Sequence, residues 1–149
     1  ISRTKKRIID NISMKSFSEN LGYANELVYY PPNDRMYYFN RNSQTVWKVK
    51  LNRNNLSNST VEKVLATGSY PKHPEPGYAY DSANGIIGGA VQNNRFYIFD
   101  PKTNSWSNQI ISGPKPGTMS FHAIAYNPVD NIFFFLTKGF KTWAYRYHL

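Results

Sequence analysis

YAYDSANGIIGG at residues 78–89, followed by RFYIFD at residues 95–100, is the stretch that decides how this chain folds. An apolar strand ends at Tyr80, and Asp81, Asn84 and Gly85 supply the residues that hairpin turns favour. A second strand then runs through Ile86 and Ile87 to Gly88 and Gly89. After a short polar loop, Arg95 to Asp100 read as a third strand rich in aromatic and β-branched residues. The same order of parts stands upstream and downstream. ELVYYPPNDRMYYF (26–39) with TVWKV (45–49) precedes it, and FHAIAYNPVDNIFFF (121–135) with KTWAY (141–145) follows. Anchored on Tyr30, Tyr80 and Tyr126, positions nine further on hold Phe39, Gly89 and Phe135, and positions seventeen further on hold Trp47, Tyr97 and Trp143.

A fourth strand follows two of these units, at Val61 to Leu65 and at Trp106 to Ile111. A segment of the same pattern, Lys6 to Asp10, stands ahead of the first unit. The spacing therefore reads as one strand followed by three, repeated with a period of about 46–50 residues, the range of propeller blades. The continuous apolar run Ile132 to Leu136 suits a sheet covered on both faces. The expected fold is all-β: a β-propeller of four-stranded antiparallel blades, three to the chain. Residues 25–66 form the first blade, 77–111 the second and 120–149 a third without its fourth strand, while 6–10 closes another blade.

Residues 86–89 and 95–106 of the second unit, with Ser120 to Pro128 of the third, resemble kelch and galactose-oxidase-type propellers. The match lies in the double glycine, the aromatic third strand and the Asp100-Pro101 turn leading to Trp106. The resemblance implies a propeller that works as an interaction scaffold. It does not carry over copper-radical chemistry, which requires a crosslinked cysteine–tyrosine pair, since this chain has no cysteine. Propellers close with about four to eight blades, and three would leave open faces and edges that invite association. Two copies would make six. The expected assembly is a homodimer closing a six-bladed ring, in which the amino-terminal strand from Arg7 to Asp10 of each copy completes the third blade of the other. The other readings are a longer propeller of which this is a piece, or pairing with a different chain.

The chain has 149 residues, a net charge of +9, 12 Tyr, 9 Phe and 3 Trp. Disulfides and thiolate metal sites are excluded by the lack of cysteine. No run approaches the roughly 18 apolar residues of a membrane span, and no secretory signal pattern stands at residues 1–10. The charge suits an anionic partner, nucleic acid among them, although Arg3, Lys5, Lys6 and Arg7 form its one tight cluster.

No catalytic or metal-ligating constellation emerges, and no cofactor is expected. His73, His122 and His148 have no ligand spacing. Asp34, Asp81, Asp100 and Asp130 fall in expected turns, where capping explains them, and Gly85, Gly88 and Gly89 lack the helix and lysine of a phosphate loop. Binding residues of a rigid scaffold ride on its loops. In antiparallel blades, the connection into the first strand and that between the second and third share one end. The residues expected there are Tyr70, Lys72, His73, Arg41, Asn42, Gln92, Asn93, Asn94, Lys115 and Lys138. A non-catalytic binding scaffold for a protein ligand is the first expectation. A glycan-binding propeller and a nucleic-acid or polyanion binder are the alternatives.

Overall fold

In a computed structural model the chain is described over residues 25–40, 44–72, 77–114, 121–137 and 141–147, without the side chains of Asn25, Phe121 and His122. These segments make twelve strands in three sheets. Sheet 1 holds β1 (Asn25–Tyr30), β2 (Arg35–Asn40), β3 (Thr45–Lys50) and β4 (Thr60–Val64), each antiparallel to the next. Sheet 2 comprises β5 (Thr67–Gly68), β6 (Tyr78–Asp81), β7 (Ile86–Gln92), β8 (Arg95–Asp100) and β9 (Ser105–Ile110), in the order β5-β9-β8-β7-β6. Sheet 3 holds β10 (Phe121–Asn127), β11 (Ile132–Thr137) and β12 (Thr142–Tyr145). The expected strand at residues 6–10 lies outside the described residues.

Turn chemistry sets the repeat. The first hairpin of each sheet closes on Tyr30↔Arg35, Asp81↔Ile86 and Asn127↔Ile132, enclosing four residues each time. The last of those four is left-handed in every case, at Asp34 (φ 51°), Gly85 (φ 68°) and Asn131 (φ 55°). These are the residue types that tolerate that conformation. Counting by the hairpins places Tyr30 level with Asp81, so Tyr29, not Tyr30, is the counterpart of Tyr80 and Tyr126. The anchor slips by one residue in the first unit because the sequence run Tyr29-Tyr30 offers two tyrosines for one place.

Sheet 2 lies between the other two, and strand alternation sends its side chains to both sides. Tyr97 and Phe99 of β8, with Ile87 and Trp106, pack with Val28, Tyr37, Phe39 and Val46 of sheet 1. Their neighbours Phe96 and Ile98, with Ile86, pack with Phe133, Phe135 and Tyr147 on the side of sheet 3. Aromatic edges and faces meet throughout the first core, with Phe39 stacked on Tyr78 at 4.4 Å and edge-on to Phe99 at 5.6 Å. The strands that open the first hairpins of the three sheets lie side by side, β1 against β6 and β6 against β10.

The sheets are separate. None closes on itself, and the described strands do not complete a ring. The double glycine that carried the kelch resemblance answers to packing around β7, against a ring of sheet 3 and the backbone that leads into β6. A Cβ on Gly88 would stand 2.7 Å from the Phe133 ring and 2.8 Å from the Phe96 ring, and one on Gly89 would stand 2.0 Å from the Gly77 carbonyl oxygen. That carbonyl is needed where it is, because it accepts from the Ala90 N–H at 3.1 Å beside a bulge in β7. The corresponding strands of sheets 1 and 3 carry Tyr37, Tyr38 and Phe39, and Phe134 and Phe135, so the signature does not repeat.

Candidate functional site

At one end of the sheets, the β2–β3 turn, the β7–β8 turn and the passage from β5 to β6 converge. Gln44, left-handed at φ 56°, donates its Nε2 to the Lys72 carbonyl at 3.2 Å, and the Lys72 N–H donates to Gln92 Oε1 at 3.0 Å. Two side-chain amides thus clamp one residue's backbone, and the residue itself stays exposed. Beneath it, Pro71 is fully buried. The Tyr70 hydroxyl donates to the Asn40 carbonyl at 3.2 Å, and its ring meets Trp106 edge-on at 4.8 Å. Burial pushes the Tyr70 hydroxyl pKa up, so it remains a donor.

Of the residues expected at this end, the fold brings Tyr70, Lys72 and Gln92 together. Asn93 and Asn94 follow Gln92 in an exposed two-residue turn, left-handed at φ 51° and 60°, the geometry that matches strand twist in a hairpin. The Asn94 carbonyl accepts from Ile111 N–H at 2.8 Å. Arg41, Asn42, His73, Lys115 and Lys138 lie outside the described residues. Two contributors escaped the sequence reading. Gln44 was legible only as the last residue of a polar loop. Glu26, on β1 opposite Phe39, is half-buried at this same end, and burial raises its carboxyl pKa.

The opposite end carries the first hairpin turns and the β8–β9 turn, and its carboxylates are engaged there. Asp81, fully buried, accepts from the Ala83 and Asn84 N–H groups at 2.9 Å each and from Asn84 Nδ2 at 2.6 Å. Asn127 repeats the arrangement, accepting from Val129 N–H at 2.9 Å. Asp100 caps Lys102 and Thr103, and Asp130 accepts from Asn127 Nδ2 at 2.7 Å. Asp34 accepts from Arg53 at 2.6 Å and from Tyr29 at 2.8 Å, and those bonds, the guanidinium's first, hold its carboxyl below the usual range. The three turns are tied to one another. Tyr30 donates to the Gly85 carbonyl at 3.0 Å, while Asn131 Oδ1 accepts from Tyr126 at 2.9 Å and from Asn84 at 3.4 Å. Among the described residues no three His, Asp or Glu side chains gather as a metal site, and no helix is long and apolar enough to cross a membrane.

No protein-family model matches this sequence, and no curated protein sequence matches it. Among solved structures, that of a luciferin-regenerating enzyme, an all-β protein, superposes with a TM-score of 0.57 at 18% identity, covering 82% of this chain and 39% of that one. The chain thus spans well under half the length of that neighbour. A likeness at this identity speaks to fold alone. It replaces the kelch assignment, which neither a family match nor a repeated signature supports, and leaves the chain related by architecture to an all-β structure of larger size.

Proposed function

We propose that this chain is an arc of three propeller blades that acts as a non-catalytic binding scaffold, presenting the Gln44–Lys72–Gln92 end to its ligand. The observation that carries the reading is the clamp itself. Two amide side chains from different sheets fix the backbone of Lys72 and leave its ammonium group exposed between two polar turns. Preorganised polar groups on a rigid frame are what binding loops need. Amides and ammonium suit an extended peptide carrying acidic residues, and Glu26, below, adds a carboxyl group of raised pKa.

The propeller reading is supported by face-to-face sheets whose first-hairpin strands adjoin, and by likeness to a chain long enough for more than two such arcs. It is supported too by the outer face of sheet 3, where Ala123, Ala125, Phe134 and Ala144 are exposed as a surface suited to another sheet. Two copies would supply six sheets.

Peptide and glycan arrays probed with the labelled chain test the binding role. Retention on acidic peptides should fall at least tenfold in Lys72→Ala and in Gln92→Ala. Retention on glycans alone would move the ligand class, and retention equal in all variants would remove this end as the site. Binding that collapses with added salt to all polyanions alike would favour the electrostatic alternative.

A further inference from the structure

Sheet 2 has a strap that sheet 3 lacks a partner for. After β4 the chain passes beside sheet 2, where Thr67–Gly68 pairs in parallel with Ser105–Trp106 of β9. Gly68, at φ 86°, lies so close that a Cβ would stand 2.1 Å from the Trp106 carbonyl oxygen. The Trp106 ring fills the space between Phe39, Tyr70 and Phe99, at 5.6, 4.8 and 5.1 Å.

After β9, Ser112–Gly113 stands at the corresponding place in the sequence, with no strand to pair with among the described residues. Gly113 has φ 94°, close to that of Gly68, yet a Cβ there would meet nothing within 4 Å among the described residues. Beside it opens a cavity of about 280 Å³ lined by Val91, Ile111, Pro114, Phe135, Trp143 and Tyr145. Tyr145 stands in sheet 3 where Phe99 stands in sheet 2, and Pro114 follows its strap glycine as Ser69, the residue before Tyr70, follows Gly68. The cavity thus occupies the place that Trp106 fills one sheet earlier. Trp143 Nε1 is buried there with no hydrogen-bond partner among the described residues. Among those residues, no strand lies along the outer edge of β12.

We infer that the β12 edge, the Ser112–Gly113 strap and this cavity form one preformed slot for an added strand, and that Thr4 to Ile9 of a second copy fills it. The inference rests on the homodimer reading above. The occupant is chosen by pattern: TKKRIIDN at 4–11 aligns without gaps on VEKVLATG at 61–68 and WSNQIISG at 106–113. A β-branched or aromatic residue opens each run, and Ile8-Ile9 stand level with Leu65-Ala66 and Ile110-Ile111. Each run ends in a residue suited to positive φ. The added strand would run antiparallel to β12 and place Ile8 opposite Lys141, as Ile110 lies opposite Arg95 in sheet 2. Thr4 would enter the cavity, with less volume than the Trp106 side chain. Strand addition satisfies an open edge with main-chain hydrogen bonds and takes its specificity from such sockets.

The chain has no cysteine, so Ile8→Cys combined with Lys141→Cys gives a clean trap. Mild oxidation should yield a covalent dimer on a non-reducing gel, whereas Ile8→Cys with Glu62→Cys should not. Thr4→Trp, which fills the cavity, should lower the dimer dissociation constant about tenfold. A disulfide formed within one chain would overturn the second copy as occupant. A dimer by light scattering that neither crosslinks nor responds to Thr4→Trp would overturn the slot while leaving the dimer standing. A monomer at all concentrations would overturn both.

Discussion

A carboxylate fully removed from solvent is costly unless its oxygens are met by donors, and Asp81 meets three within its own turn. Its neighbours extend that turn across sheets, since Asn84 reaches Asn131 and Gly85 receives Tyr30. Asp81→Ala should strip two backbone N–H groups of their acceptor and cost about 2–4 kcal/mol. Urea unfolding would read this as a lower midpoint at unchanged slope, and an effect under about 0.5 kcal/mol would show that solvent replaces the cap. Asp, Asn and Gly before the second strand were legible as turn formers, because their propensity is local. The one-residue slip at Tyr29-Tyr30 was not, because which tyrosine closes the hairpin depends on where the left-handed residue falls, here at Asp34.

Most strands follow from runs of aromatic and β-branched residues punctuated by turns, and the four antiparallel strands of sheet 1 lie where that alternation puts them. What pattern could not reveal was β5. A two-residue parallel pairing has no period to detect, and its cause is spatial, the approach of Gly68 to the Trp106 carbonyl. Nor could pattern tell a family signature from a packing need, as the double glycine of β7 shows against Phe133, Phe96 and Gly77. The binding end was legible as a set of polar loops, but Gln44 and Glu26 join it only through the fold. The two strap glycines should separate sharply. Gly68→Ala sets a methyl against an immovable carbonyl and should cost at the upper end of about 1–3 kcal/mol. Hydrogen exchange at Thr67, whose N–H now donates to the Asn104 carbonyl at 3.1 Å, should speed accordingly. Gly113→Ala meets no atom of the described residues and adds only the smaller backbone strain of a left-handed alanine, roughly 1–2 kcal/mol. Equal destabilisation by both would mean that the first strap gains nothing from its close contact.

Across the described residues, stability rests on aromatic layers between sheets rather than on charge pairs, of which Arg53–Asp34 is exposed and Lys48–Glu62 open to solvent on its glutamate side, so that both are weak. Tyrosine dominates those layers, and this gives the fold a specific weakness at high pH. Burial is the leading cause of raised hydroxyl pKa at Tyr30, Tyr38, Tyr70, Tyr78, Tyr145 and Tyr147. Burial, with Asp81 nearby, pushes Tyr126 up to about 12. In the unfolded chain the same phenols ionise near pH 10. Below that value both states keep their protons, and these groups leave stability unchanged. Above it the unfolded chain releases protons that the folded chain retains, so stability falls as pH rises from about 10 through the raised folded values. The fold should hold from neutrality to about pH 10 and then unfold cooperatively, with tyrosinate absorbance rising in the same transition in which the far-ultraviolet β signal disappears. Because the rings lie in both interfaces, sheets 1, 2 and 3 should be lost together. Tyrosinate appearing gradually, well before the β signal changes, would mean that these hydroxyls reach solvent in the folded state and that the aromatic layers are open. A β signal lost in two steps would place the tyrosine-dependent stability in one interface only.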